Sequence, residues 1–369
     1  MRIAAFGIRA LPPSDGAAGA DTFAGELYKR LVRRGHHVTA YCRRYPGSKW
    51  PAPSRFEGIQ LIHLRTVRRS GFDTLVHSFK STMHIIFRNT GDVVHIHNGG
   101  NSIWAFVLRV FGKQVFVSQD GVDWKRDKWP WYARLYLRLS AAVTAWIPNG
   151  VIFDNIYAKE QFEQLFGTRR FFCIPYGADF PEPSGLEVLG RFNLVKDEYF
   201  LFIGRFIPDK GIHYLIEAFE KLPTKKQLVI IGGSPNPGSD YELRIRSTRD
   251  QRIRFLGYVY GSEMLQLMAG AFCYVQPSDV EGLSPVLLTA MGLGKPIICS
   301  NIKENLFAVA DTALTFEAGN PSALEQMFHQ ALQSPHKMLL LGQSAKDRAL
   351  KTFSWDQVTE QHLEVFSAR

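Results

Sequence analysis

The 369 residues are too many for one ordinary core, so two domains of roughly 150 to 200 residues each are expected, and the 46% hydrophobic and 21% charged fractions are those of a soluble globular enzyme. The four cysteines, Cys42, Cys173, Cys273 and Cys299, are scattered with no C-x-x-C pair, which argues against a disulfide framework or a zinc site and for a reducing compartment. The net charge of +10 sits in the first half, where Met1–Phe180 carries 25 Lys and Arg against 13 Asp and Glu; that half should meet anionic lipid headgroups or a phosphate-bearing acceptor, and no motif supports nucleic acid.

Met1–Ile8 reads as a first strand, too short in its apolar run for a secretory signal, and no window approaches the ~20 apolar residues that span a bilayer. A loop rich in Gly, Pro and Ala follows and opens a helix near Thr22. Phe23, Leu27, Leu31 and Val32 recur there at helical spacing until Gly35 ends it, and His37–Tyr41 is the next strand. This strand, glycine loop and helix is the unit that holds phosphates in dinucleotide folds, but G-x-G-x-x-G is absent and no acidic residue closes the following strand, so a nicotinamide dehydrogenase is disfavoured.

G-D-V-V-H-I-H-N-G-G (91–100) is a strand running into a loop, and in an open α/β sheet such strand ends line the ligand crevice. His97 and Asn98 lie at that end. His95 and His97 share a strand face, but no third metal ligand is near in sequence, and a buried, hydrogen-bonded imidazole is the plainer alternative for His97. Val115–Gly121 repeats the pattern with Asp120 at its end. The stretch that follows, with Trp124, Lys125 and Arg126, mixes aromatic and basic residues up to Leu139. It suits a membrane interface or a sugar-stacking acceptor groove, and equally a helix that packs its aromatic side on the sheet with cations outward. F-F-C-I-P-Y-G-A-D and then P-E-P-S-G close the first half near residue 180.

The second half restarts the alternation with Y-F-L-F-I-G-R-F-I-P-D-K-G (199–211). Tyr199–Ile203 is a buried, parallel-type strand stopped by Gly204, and a helix begins after Gly211. Arg205 and Lys210 lie between them, two cations leading into a helix N-terminus, which suits a diphosphate; a solvated basic loop is the bland alternative. Strands at Gln227–Ile231, Ile253–Leu256 and Phe272–Gln276 alternate with helices at Tyr241–Thr248 and Met264–Ala269. The last of these strands leads to P-S-D-V-E-G-L-S-P, where Glu281 can hold hydroxyl groups of a polyol while the amides of Gly282, Leu283 and Ser284 face anionic oxygens.

Strand-G-R-x-x-x-x-K-G, followed about 75 residues later by P-S-x-x-E-G-x-x-P-x-x-x-x-x-A-M-x-x-G-x-P, resembles the retaining glycosyltransferases of family 4, which have two Rossmann-like domains facing a cleft, the GT-B fold. The resemblance runs almost end to end, through G-A-D-T-F, V-V-H-I-H, I-P-Y-G-A-D and F-L-G-Y-V, and the segment from Asp120 resembles bacterial members that build surface polysaccharides, some of them rhamnosyltransferases. It implies an α/β chain with an acceptor-side domain at 1–180, a donor-binding domain at 181–352, and a helix at 353–369 crossing back to the first.

By the same resemblance, Arg205 and Lys210 neutralise the donor diphosphate and Gly19 lets its loop approach the phosphates. Glu281 holds the donor sugar, His97 sits against it, and Gly257, Tyr258 and Val259 line the base pocket. Asn98, Asp120, Trp124, Lys125 and Arg126 fall on the acceptor side. The family's second glutamate, which commonly binds ribose, is replaced here by Thr289, and Ala18 replaces the first glycine of a usual pair. The expected activity is transfer of a hexose or deoxyhexose from a nucleotide diphosphate sugar to a glycan or lipid-linked glycan, with retention and without metal or other cofactor. The expected location is cytoplasmic, at the inner face of the cytoplasmic membrane. A silent sugar-nucleotide-binding subunit and a sugar-nucleotide epimerase are the rivals.

Overall fold

The structure, a computed structural model, describes residues 1–13, 19–47, 52–68, 71–119 and 131–368. It divides into two compact units: Met1–Gly177 with Trp355–Arg369, and Ala178–Ser354. The seams lie at Gly177 and Trp355, not at the expected 180/181 and 352/353. The cause is packing inside unit 1, where a Cβ on Gly177 would lie 2.3 Å from the Trp355 ring, so the two residues belong to one body.

Unit 1 runs β1 (Arg2–Phe6), α1 (Gly19–Arg33), β2 (His37–Arg44), β3 (Arg55–Phe56), β4 (Ile59–Arg65), α2 (Phe72–Arg88), β5 (Val93–His97), a 3-10 turn Gly99–Trp104, α3 (Ala105–Val110), β6 (Gln114–Gln119), α4 (Trp131–Trp146), β7 (Gly150–Phe153), α5 (Ile156–Phe166) and β8 (Phe171–Cys173). Its strands are ordered β3-β4-β2-β1-β5-β6-β7-β8, parallel except for the β3–β4 pair. Along β1, Ile3 and Ala5 enter one core while Ala4 and Phe6 enter the other. Both faces of the strand are thus buried, the condition for a parallel sheet covered by helices.

Unit 2 runs α6 (Val188–Arg191), β9 (Tyr199–Ile203), α7 (Ile212–Glu220), β10 (Gln227–Ile231), α8 (Asp240–Arg246), β11 (Ile253–Gly257), α9 (Gly261–Gly270), β12 (Cys273–Gln276), α10 (Pro285–Gly292), β13 (Ile297–Ser300), α11 (Lys303–Val309), β14 (Leu314–Phe316), α12 (Pro321–Gln333) and α13 (Pro335–Phe353). The sheet order is β11-β10-β9-β12-β13-β14, all parallel. Tyr199 and Leu201 fill one core, Phe200 and Phe202 the other.

The closing helix α14 (Trp355–Ser367) belongs to unit 1 and packs on α1, with Arg34 bonded to Glu360 at 2.6 Å and the Arg30 guanidinium 4.9 Å over the Trp355 ring. In both sheets the strand order reverses beside the first strand of the unit, at β1/β5 and at β9/β12, and open α/β sheets bind ligands at the carboxyl ends of such pairs.

Local readings shift by a few residues. α1 starts at Gly19, three residues ahead of Thr22, because Asp21 in its first turn is buried and accepts the Arg9 N–H at 2.8 Å. Asp120, Trp124, Lys125 and Arg126, and Ala18, lie outside the described residues. α4, the described end of the aromatic and basic stretch, does not pack its aromatic side on the sheet: it buries Ser140, Ala141, Thr144 and Ala145 and exposes Trp131, Tyr132, Leu135 and Leu139. Among the described residues no helix is long and apolar enough to cross a membrane.

Candidate active site

In unit 2 the β9/β12 switch point joins two loops that are 71 residues apart in sequence. After β9, Gly204 turns the chain, Pro208–Lys210 forms one 3-10 turn, and Gly211 adopts φ 66° before α7. A Cβ at Gly211 would lie 2.1 Å from the Pro277 carbonyl oxygen, so only glycine permits this close approach. The Asp209 carbonyl accepts the amide of Asp279 at 2.9 Å, which ties the loop after β9 to the loop after β12.

This tie brings Lys210 to Glu281. The Lys210 ammonium is paired with Glu281 Oε1, and both side chains are largely buried. The same oxygen accepts Ser278 Oγ at 2.8 Å and Gln276 Nε2 at 3.4 Å; Gln276 is itself held through Oε1 by Tyr274 Oη at 2.8 Å and Ser284 Oγ at 3.3 Å. Among the described residues Oε2 of Glu281 has no hydrogen-bond partner, and neither do the amides of Gly282, Leu283 and Ser284. One carboxylate oxygen is thereby anchored, while the other oxygen and three consecutive N–H groups stand ready for a ligand, just ahead of α10, whose first turn Ser284 caps through the Leu287 amide.

Arg205 is exposed and, among the described residues, has no ion pair; it is not drawn into the Lys210–Glu281 pair. Gly257 takes φ 73° and accepts the Gly232 amide at 2.8 Å. Tyr258 is exposed over Gly233, where a Cβ would meet its ring at 2.7 Å, and stacks on Tyr260 with ring centroids 5.9 Å apart. The Val259 side chain is packed in the core, so of this expected base-pocket residue only the backbone is available to a ligand. The Thr289 hydroxyl donates to the Pro285 carbonyl at 2.9 Å inside α10, which leaves its oxygen as an acceptor only.

In unit 1 the β1/β5 switch point holds two imidazoles and a phenol. Gly7, at φ 99°, lies where a Cβ would come 2.1 Å from the His97 carbonyl oxygen. The His97 ring is buried, and its Nε2 meets Tyr28 Oη at 2.5 Å; the same hydroxyl meets His95 Nδ1 at 2.9 Å, and His95 Nε2 meets Ser118 Oγ at 2.8 Å. With one proton, Tyr28 donates to one imidazole and accepts from the other, so the two rings present opposite protonation toward it.

Burial, reinforced by the neighbouring His362, holds His97 down to about 3, and His95 is likewise held well below the usual imidazole range. His97 therefore stays uncharged at neutral pH. Nδ1 of His97 has no partner among the described residues. His97 and Asn98 line a shallow concavity with Ala20, Phe23, Gln119 and Asp154, whose carboxyl is pushed up by burial. Gly19 opens α1 next to Ala20.

Sequence reasoning missed Tyr28, Ser118, Asp154 and Gln276. Ser278, in contrast, stands inside the P-S-x-x-E-G motif, three residues before its partner Glu281. Among the described residues no three His, Cys, Asp or Glu side chains gather as metal ligands, since His95 and His97 are engaged with Tyr28 and Ser118.

Two family descriptions match the chain, "Glycosyltransferase Family 4" over residues 17–180 and "Glycosyl transferases group 1" over residues 197–334. The O-antigen chain mannosyltransferase B of Escherichia coli is 31% identical over 49% of each chain, and the D-rhamnosyltransferase WbpZ of Pseudomonas aeruginosa is 25% identical over 49% of each. The chain thus spans about half the length of these curated relatives. The crystal structure of Anabaena HepE in complex with UDP superposes on all of this chain and all of its own with a TM-score of 0.75 at 17% identity, a likeness of fold. Two matched halves, the paired Rossmann-like sheets and the loops gathered at the β9/β12 switch point establish that this chain belongs to the group 1, family 4 glycosyltransferases and has the GT-B fold.

Proposed function

We propose that this protein transfers a hexose or deoxyhexose from a nucleotide diphosphate sugar to a glycan or lipid-linked glycan, with retention at the anomeric carbon, in surface-polysaccharide assembly on the cytoplasmic side of the membrane. The observation that carries it is the Lys210–Glu281 pair at the β9/β12 strand ends, with three unpartnered amides behind it and the exposed Arg205 at the start of the same loop. Breaking the bond to the anomeric carbon leaves negative charge on the diphosphate. Fixed cations at Lys210 and Arg205 stabilise that charge as it forms, and such stabilisation does not require a metal ion.

Glu281 has a second role in this reading. It holds the ammonium of Lys210 in place through Oε1, while Oε2 accepts a sugar hydroxyl of the donor and the Gly282, Leu283 and Ser284 amides meet phosphate or sugar oxygens. In unit 1, the uncharged His97 and Asn98 offer polar edges to sugar hydroxyls. Retention follows from the family resemblance, and the polysaccharide setting is supported by the mannosyl- and rhamnosyltransferase names of the relatives.

The test is incubation of the full chain with a panel of nucleotide sugars and glycan acceptors, reading released nucleoside diphosphate and, by NMR, the anomeric configuration of the product. Acceptor-dependent release with retained configuration is expected. Donor binding without release would identify a silent binding subunit, and a change in the sugar without acceptor would identify an epimerase; either overturns the proposal.

A further inference from the structure

The hydrogen bonds behind His97 do not stop at Tyr28. Ser118 Oγ meets His95 Nε2 at 2.8 Å, His95 Nδ1 meets Tyr28 Oη at 2.9 Å, and the same Oη meets His97 Nε2 at 2.5 Å. Side chains from α1, β5 and β6 thus form one unbroken line. His95 and His97 alternate with Ile96 on β5 and so share a face of the strand; Tyr28 comes from α1, and Ser118 stands opposite His97 in the register of β5 with β6.

The middle of the line is dry. Tyr28 is fully buried in the core that also holds Phe23, Val358 and Phe366. A phenol and two imidazoles placed there lose their water, so each bond between them has to be made. Burial also keeps both imidazoles uncharged at neutral pH and the phenol protonated.

Neutral groups can share this line in only two proton orders, because each imidazole and each hydroxyl brings a single proton. In the first, Ser118 donates to His95, His95 to Tyr28 and Tyr28 to His97; both rings are then protonated on Nδ1. In the second every bond runs the other way, and both rings are protonated on Nε2. The spacings select the first. An N–H donor holds its oxygen at about 2.9 Å, whereas an O–H donor comes closer. The longest of the three contacts is therefore the His95 N–H to Tyr28, and the shortest is the Tyr28 O–H to His97.

Both ends of the line belong to residues of the same shallow concavity, which His97 and Ser118 line together. Nδ1 of His97 has no partner among the described residues, so in this order it brings an N–H to the concavity. Ser118, whose proton is spent on His95, brings an oxygen that accepts.

We propose that Tyr28 is a positioning residue: backed by His95 and Ser118, it holds His97 in the Nδ1–H form, so that unit 1 offers a sugar hydroxyl a donor at His97 and an acceptor at Ser118. The inference rests on the sugar-transfer reading for the ligand alone. His362 supplies an internal contrast. Its ring lies 6.1 Å from that of His95, but its Nδ1 donates to the Val358 carbonyl at 2.8 Å, so its proton is placed without Tyr28.

NMR of the full chain with isotopically labelled histidine ring nitrogens tests this before any sugar is added. His95 and His97 should both be Nδ1–H. In Tyr28→Phe, which keeps the ring and loses the hydroxyl, His97 should show both tautomers while His362 stays Nδ1–H. An Nε2–H form of His97 or His95 in the unchanged chain, or a His97 that remains wholly Nδ1–H in Tyr28→Phe, overturns the proposal. A His362 that shifts along with them overturns it too, since the substitution would then act through packing. In turnover, Tyr28→Phe should lower kcat/KM about tenfold, and should cost nothing further when added to His97→Gln. An equal loss in both backgrounds would show that Tyr28 acts elsewhere. The expected tautomers in a chain that releases no nucleoside diphosphate count only against sugar transfer, whereas the wrong tautomers in a chain that does release it overturn only this inference.

Discussion

The two sheets reverse their strand order in the same way, yet the chemistry placed at the reversal differs. At β9/β12 a lysine and a glutamate meet with three unused amides beside them; at β1/β5 a tyrosine and two histidines meet, all buried and the histidines held neutral. Topology therefore supplies a place, and the side chains after the strands decide what it binds. A charged, donor-rich end suits a diphosphate, and a concave one with neutral imidazoles suits the hydroxyls of a sugar. In each case a glycine at positive φ makes the close approach possible, Gly211 against the Pro277 carbonyl and Gly7 against that of His97.

This contrast can be broken most forcefully at Lys210. Lys210→Ala should lower nucleoside diphosphate release about 10²-fold or more with the fold intact by circular dichroism, because the charge that meets the leaving group is gone; near-normal turnover would remove the basis for calling the second switch point the donor site. Next come the glycines. Gly211→Ala and Gly7→Ala each place a methyl group 2.1 Å from a carbonyl oxygen in a left-handed backbone, and each should cost about 2 kcal/mol, read by denaturant unfolding. Hydrogen exchange should locate the damage in unit 2 for the first and in unit 1 for the second, and damage spread equally over both units would refute the picture of separately built sites.

Acid should separate the units as well. His97 is held down to about 3, and His77 and His362 to about 4, in each case chiefly by burial. A histidine whose folded pKa lies below its unfolded value of about 6.5 contributes stability above that pH and loses it as pH falls toward the folded value. Unit 1 should therefore weaken progressively below about 6.5. The shifted histidine of unit 2, His213, is lowered too, by burial and by Arg244, but it is only half-buried. Hydrogen exchange followed down in pH should show unit 1 opening first, and parallel loss in both units would contradict this. The smallest effect is expected at Thr289, whose hydroxyl proton is engaged with Pro285. Thr289→Val should change donor KM by about twofold or less, and a tenfold rise would assign the ribose contact to that oxygen.

Much of the fold was readable because burial on both faces of a parallel strand writes an unbroken apolar run. Tyr199–Ile203 and Gln227–Ile231 appear in the structure with the bounds read from the residues. The candidate site was readable where chemistry is written in a compact motif: Arg205 and Lys210 after one strand, Glu281 with Gly282 after another. It was not readable where partners come from elements distant in sequence, as with Tyr28 of α1 between His95 and His97, since a tyrosine at helical spacing looks like any core residue. The burial of the Val259 side chain was likewise not readable, because the residues that close over it come from elsewhere in unit 2.

Local sequence thus determined the alternation of strands and helices, the glycine-bearing turns and the identity of the charged residues, since each depends on neighbours within a few positions. Only the tertiary structure decided that Lys210 reaches Glu281, that His97 is buried and neutral, and that α2 and α4 turn their serines inward and their aromatics out. Those outcomes depend on strand order and on which surfaces are covered, and both are set by contacts between residues far apart in the chain.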